Sequence, residues 1–182
     1  MQYVLVSTCL LGLPARYNGK QVAYAHPVLR RWQADGRIVA FCPELAGGLP
    51  TPRPPAEVAE GKGGRLVLAG EARVVDKTGD DVTEPFVRGA RQAQDIARTR
   101  KIRLAILKEG SPSCGSSYSY DGSFRSVRLP LPGVNRKEWM PLSSTLAYLR
   151  TIRPSMSVII MLTMSFSGTN MDMVVWSATG LG

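Results

Sequence analysis

Three short apolar runs predict the central strands of the molecule. They are Tyr3–Ser7, Arg37–Phe41 and Leu104–Leu107. Each is a nearly continuous apolar run that stops at a turn, as is typical of strands buried on both faces of a parallel sheet. Such a run differs from the polar–apolar alternation of a strand with one face in water. We therefore expect these three segments to form one parallel sheet.

Two helices are predicted between the strands. His26–Asp35 has a proline in its first turn, where proline is tolerated. Val82–Arg100 is the clearer helix, with Pro85 in its first turn and Asp81 or Thr83 as its cap. Its apolar positions, spaced for one helix face, are Phe86, Ala90, Ala93, Ile96 and Ala97. Strands that alternate with helices predict an α/β fold, a Rossmann-like parallel sheet flanked by helices.

The remaining segments before residue 124 are interpreted from their turn residues. Pro43–Pro55 is rich in proline and is predicted to be an irregular loop. Leu66–Leu68 and Ala72–Val75, separated by Ala-Gly-Glu, are predicted to form a small hairpin. Gly110–Gly122 is predicted to be a turn-rich loop.

The three cysteines of the chain each follow one predicted strand. Cys9 comes just after the first strand, Cys42 ends the second, and Cys114 lies shortly after the third. Ligands bind at the carboxyl ends of parallel strands, so we expect the three thiols to meet at one sheet edge. An odd number of cysteines argues against a disulfide framework and favours reduced thiols in the cytoplasm.

The net charge of +9 suggests attraction to anions, although a generally basic surface is the favoured interpretation. The chain has no run of five like charges, and aromatic residues make up 7% of it. Neither feature favours base stacking, so we expect no stable nucleic-acid partner. No Lys or Arg precedes Arg16, which argues against a signal peptide, and we expect no membrane association.

Three thiolates leave the kind of metal centre open at this point. A closed zinc site needs four protein ligands, and His26 is the one histidine that could supply the fourth. Catalytic zinc held by three cysteines is a second option. Four-iron clusters usually take four cysteines, so three would leave one iron open to bind another ligand.

Three long motifs carry a family resemblance. The segments are CLLGLPARYNG (9–19), CPELAGGLPTPRPPAE (42–57) and LKEGSPSCGSSYSYDGSF (107–124). They closely resemble the domain-of-unknown-function family 523, which includes the thiouracil desulfurases. The resemblance implies a 4Fe–4S cluster held by Cys9, Cys42 and Cys114. It also implies removal of sulfur from a thiolated pyrimidine base or nucleoside, with the substrate sulfur bound to the open iron.

We expect non-redox chemistry, in which water attacks the carbon that carries the sulfur. Such a step needs a general base, and Glu44 is the best-placed carboxylate, unless it only bonds loop amides. Ser111 and Ser113 are predicted to bond the substrate or the cluster, although both are also ordinary turn residues. Arg53 is predicted to bind the substrate, and a loop salt bridge is the alternative.

The chain departs from the family pattern at two places. Ala15 stands where many relatives carry another cysteine. After Phe124 the family pattern stops, methionines cluster and acidic residues become rare. We therefore predict a cluster-binding domain at 1–124 and a tail at 125–182 that packs poorly on it. The tail is interpreted as a frameshift product or a truncated native end, with true divergence as the alternative.

Two other functions remain as alternatives to a desulfurase. One is a redox sensor built on the cluster, and the other is a nucleic-acid-binding module with a structural metal. The sequence makes no prediction of the oligomeric state.

Overall fold

A five-stranded sheet forms the centre of the computed structural model. The structure describes residues 1–21, 26–135, 160–167 and 170–177, and the last two ranges are described as backbone only. The strands are β1 Val4–Ser7, β2 Ile38–Phe41, β3 Ala56–Val58, β4 Val74–Asp76, β5 Leu104–Leu107, β6 Ser119–Tyr120, β7 Arg128–Leu129, β8 Ile160–Ser167 and β9 Asn170–Ser177. The helices are α1 Pro27–Ala34, α2 Pro43–Ala46, α3 Gly64–Leu68 and α4 Thr83–Thr99. No helix in the described ranges is long and apolar enough to cross a membrane.

The sheet order is β2-β1-β5-β8-β9. The first three strands are parallel, with Val4 of β1 opposite Ile38 on one side and Leu104 on the other. Strands β8 and β9 continue the sheet with antiparallel pairing. The predicted parallel sheet is therefore confirmed, with two antiparallel strands added beside β5.

The central strand β1 is buried on both faces. Val4 and Val6 pack in one cluster with Leu29 of α1. Leu5, which points to the opposite face, packs in another cluster with Ala93 and Ala97 of α4. Because successive side chains of a strand alternate between faces, α1 and α4 cover opposite sides of the sheet. This arrangement confirms the α/β fold predicted from the sequence.

Helix α4 also has a second apolar contact surface, away from the sheet. Phe86 and Ala90 pack there with Val58 of β3 and Val74 of β4. Strands β3 and β4 form a small antiparallel sheet of their own. The helix thus joins the main sheet to this smaller layer, which borders the cavity described below.

The predicted hairpin at Leu66–Leu68 and Ala72–Val75 is wrong. Residues 64–68 form helix α3, and β4 pairs with β3 instead. The Ala-Gly-Glu segment ends the helix, since Gly70 has a φ of 76° and its N–H bonds the carbonyl of Val67 at 3.1 Å. A glycine in this conformation is a common helix end, and its sequence signal resembles that of a turn.

The predicted irregular loop at Pro43–Pro55 is wrong in its first residues, which form α2. Pro43 occupies the first turn of that helix, where a missing N–H costs nothing.

Residues 133–135 are buried against the preceding part of the chain. Val134 is completely buried beside Phe86 and Val58. The N–H of Gly133 donates to the carbonyl of Gly115 at 2.8 Å, next to Cys114. The expectation of poor packing is therefore wrong for 133–135. The division at residue 124 stays a prediction, since 136–159 lie outside the described residues.

Candidate metal centre and active site

Three parallel strands bring the three cysteines to one cavity. Cys9 lies in a turn after β1, Cys42 lies between β2 and α2, and Cys114 lies in the loop after β5. All three line a cavity of about 430 Å³ at the carboxyl ends of these strands. The three cysteines therefore lie together at one edge of the sheet, as the sequence predicted.

Burial raises the pKa of all three thiols. For Cys9, the nearby Cys42 raises the pKa further. The pKa of Cys114, which is 7% exposed, lies well above its ordinary value because of burial first and Cys42 second. Cys42 thus raises the pKa of both of the other thiols. Three thiolates together in such a cavity need a positively charged centre to stabilise them.

The donor set fits an iron–sulfur cluster. No three His, Cys, Asp or Glu side chains in the described ranges surround a position for a single metal ion. The three thiols instead border a common cavity, and thiolates are the soft ligands that hold iron–sulfur clusters. Two further contacts orient them: Ser7 Oγ donates to Cys114 Sγ at 3.8 Å, and Cys42 Sγ donates to the Ala15 carbonyl at 3.9 Å.

A close crossing of α2 and α4 fixes Cys42. A Cβ atom at Gly47 would overlap the carbonyl of Pro85, and one at Gly89 would overlap the carbonyl of Pro43. Arg88 of α4 clamps the crossing by donating from Nε and Nη2 to the carbonyl of Gly47. Since Cys42 directly precedes α2, this backbone contact sets the position of its thiol.

A buried carboxylate fixes the loop of Cys114. Glu109 is 5% exposed and accepts hydrogen bonds from the N–H groups of Ser116, Ser117 and Tyr118, at 3.0 to 3.4 Å. The hydroxyl of Ser116 donates to it as well, at 3.0 Å. Glu109 therefore ties the residues after Cys114 back to the end of β5. Sequence analysis missed Glu109, since its neighbours in the sequence give no sign that its side chain is buried and bonds the loop.

Glu44 lies beside the thiols with both oxygens engaged. Oε1 accepts from Ser113 Oγ at 2.8 Å and from Ser111 Oγ at 3.2 Å. Oε2 accepts from Arg53, which forms a salt bridge with it. Glu44, Ser111 and Arg53 line the cavity, while Ser113 is buried behind them. The residues singled out in the sequence are thus brought together.

Arg53 uses all its N–H groups within the protein. Nε and Nη2 donate to Glu44, and Nη2 also donates to the carbonyl of Ala15 at 3.1 Å. Nη1 donates to the carbonyl of Pro50 and to Thr51 Oγ1. The predicted role in substrate binding stays a prediction, and the contacts show that Arg53 orients Glu44.

Lys108 is a cavity residue that sequence analysis missed. It directly follows β5, and its Nζ donates to the carbonyl of Glu109 at 2.8 Å. Burial lowers the pKa of this lysine, and the nearby Cys9 opposes the shift. Lys108 directly follows a strand whose carboxyl end lies at the cavity. This position in the sequence could have identified it.

The fold and the cavity are those of the class of α/β proteins with a candidate thiolate metal site at the carboxyl ends of the parallel strands. The comparison with protein families narrows this class. The sequence model described as 2-thiouracil desulfurase matches residues 4–143. The chain therefore belongs to the 2-thiouracil desulfurase family, and the predicted family membership is confirmed.

Two similar proteins extend the comparison. The uncharacterized protein YbbK of Bacillus subtilis (strain 168) is 42% identical over 131 residues, which are 72% of this chain and 85% of that protein. The solved structure of TudS, a 4Fe–4S-dependent thiouracil desulfidase, is 45% identical and has a TM-score of 0.65. That match covers 74% of this chain and 82% of TudS.

Proposed function

We propose that this protein removes sulfur from a thiolated pyrimidine with a 4Fe–4S cluster held by Cys9, Cys42 and Cys114. The observation that carries the proposal is the convergence of three thiols and an oriented carboxylate, Glu44, on one cavity. The cofactor of TudS, at 45% identity, supports the predicted cluster. The family of the chain supports thiouracil as the substrate class.

Held by the three cysteines, the cluster would supply Lewis-acid chemistry toward a soft thiocarbonyl sulfur. Glu44 acts as the general base for the attacking water. Because Arg53 holds Oε2, the proton is taken up at Oε1, the oxygen that accepts from the hydroxyls of Ser111 and Ser113. The reaction converts a thiocarbonyl and water into a carbonyl and hydrogen sulfide, so no electrons are gained or lost.

Ser111 and Ser113 have different roles in the proposed reaction. Ser113 is buried and holds Oε1 of Glu44 from behind. Ser111 lines the cavity and reaches the same oxygen, so its hydroxyl is placed to contact substrate or water. Arg53 keeps the carboxylate in one orientation by holding Oε2, while Oε1 accepts from the two serine hydroxyls.

The test is anaerobic reconstitution with iron and sulfide, followed by incubation with 2-thiouracil. We expect sulfide and uracil to form in equal amounts without an added reductant. Formation of the cluster with no release of sulfide would contradict a desulfurase and favour the redox-sensor alternative. A reconstituted protein without visible absorption would contradict the cluster itself.

A further inference from the structure

The cavity has an aromatic part besides its thiol part. Tyr17, Tyr118, Tyr120 and Phe124 line it together with the cysteines. Tyr118 and Tyr120 pack edge to face with their centroids 6.0 Å apart, and Arg128 lies 4.6 Å over the ring of Tyr118. These two rings are thus held by each other and by a cation. Phe124 is held in a different way.

The backbone at Phe124 has an unfavourable conformation. Its φ is 57°, a left-handed value that bulky residues rarely adopt, and Ser126 has a φ of 63°. Gly122, two residues earlier, has a φ of 87°, and a Cβ there would lie 2.8 Å from the carbonyl oxygen of Val58. Strained conformations of this kind persist where the surroundings enforce them, and they cluster at ligand sites.

The carboxylate of Glu57 enforces this conformation. It is 8% exposed, and its Oε2 accepts from the N–H of Gly122 at 2.9 Å and of Phe124 at 3.1 Å. Glu57 belongs to β3, which pairs with β4 and packs on α4. A rigid strand therefore holds the loop of Phe124 at the cavity wall.

We propose that Phe124 binds the pyrimidine ring of the substrate by stacking, and that Glu57 is the residue that positions it. The inference rests on the proposed function, since a planar heterocycle is what an aromatic wall beside the thiols would recognise. Base stacking on an aromatic side chain contributes enough that its loss weakens binding roughly five- to a hundredfold. Because hydrogen bonds to Glu57 already fix the backbone at Phe124, this loop loses little conformational freedom on binding.

The experiment compares variants of the reconstituted holoprotein. Phe124→Leu should raise the KM for 2-thiouracil roughly tenfold, with a smaller fall in kcat and unchanged iron content. Phe124→Tyr keeps the ring and should recover most of this loss. Glu57→Ala should also raise KM, because the loop is released. The control is Tyr3→Leu, which removes an aromatic ring that packs on the core away from the cavity, and which should leave KM unchanged.

The double variant separates positioning from general loss of structure. If Glu57 acts through Phe124, then Glu57→Ala with Phe124→Leu should be no worse than Phe124→Leu alone. Multiplied effects, or an unchanged KM in iron-loaded Phe124→Leu, would overturn the proposal.

Calorimetric binding of uracil provides a second readout that does not need turnover. Uracil carries no sulfur, so its affinity reports ring binding separately from contact with iron. Phe124→Leu should weaken uracil binding in parallel with KM. Equal uracil affinity in the wild type and Phe124→Leu would overturn the inference. A wild type that binds uracil and releases no sulfide would overturn the proposed function alone.

Discussion

Arg53 holds a single oxygen of Glu44 from two of its nitrogens. Nε lies 3.0 Å and Nη2 2.5 Å from Oε2. The opposite oxygen, Oε1, is left to the hydroxyls of Ser113 and Ser111. The carboxylate thus has one orientation, set by the planar fork of the guanidinium.

A lysine cannot reproduce this fork, because its ammonium is a point charge on a flexible stem. Arg53→Lys should therefore lower kcat about ten- to a hundredfold through misorientation of Glu44. Iron content should stay at the wild-type level. Arg91→Lys, on the exposed side of α4, is the control and should be silent. Wild-type turnover in Arg53→Lys would show that Glu44 needs no such orientation.

Replacing Glu44 itself tests the general base. Glu44→Gln keeps the size of the side chain and removes its basicity, so desulfuration should slow roughly a hundredfold or more. The cluster should remain, as judged by visible absorption. Glu84→Gln, at the exposed start of α4, is the matched control. If turnover persists with the cluster in place, Glu44 only bonds the loop.

Glu109→Ala tests the loop that carries Cys114. The change removes the carboxylate that accepts from one buried and two partly buried N–H groups, and losing such an acceptor costs up to about 1–3 kcal/mol for a fully buried group. We expect a lower free energy of unfolding and faster loss of iron to a chelator. The exposed Glu71→Ala is the control. Iron retention equal to that of the wild type would mean that Cys114 is positioned without Glu109.

The raised thiol pKa values predict slow alkylation of the metal-free chain. A raised pKa lowers the thiolate fraction at a given pH, so alkylation near pH 8 should be slower than in the unfolded chain. The rates should keep rising above the pH at which unfolded thiols level off. Cys114, whose pKa is raised well above its ordinary value, should react most slowly. Mass spectrometry of the alkylated peptides measures this, and a fast Cys114 would contradict its burial.

The convergence of the cysteines was predictable because it depends on local features. Each thiol follows an apolar run, and parallel strands end at one edge, so Cys9, Cys42 and Cys114 could be placed together before the structure was known. Glu44 followed from its closeness to Cys42 in the sequence. The family resemblance then supplied the cluster and the substrate class.

The contacts of the buried carboxylates Glu109 and Glu57 were not predictable, because only the folded loops bring their partners within reach. Glu109 bonds amides several residues further on, and Glu57 bonds the loop of Phe124 from a different strand. A buried carboxylate of this kind looks in the sequence like any surface glutamate. Helix α3 was wrongly predicted as part of a hairpin, because a glycine that ends a helix and a glycine in a hairpin turn give the same sequence signal.

The most direct test of the central claim is iron and acid-labile sulfide per chain after anaerobic reconstitution. The three thiols predict about four irons and four sulfides in the wild type. Cys9→Ala, Cys42→Ala and Cys114→Ala should each lose stable cluster binding, because three ligands already leave one iron open. Full iron occupancy in Cys42→Ala would contradict the assignment of these three cysteines as the cluster ligands.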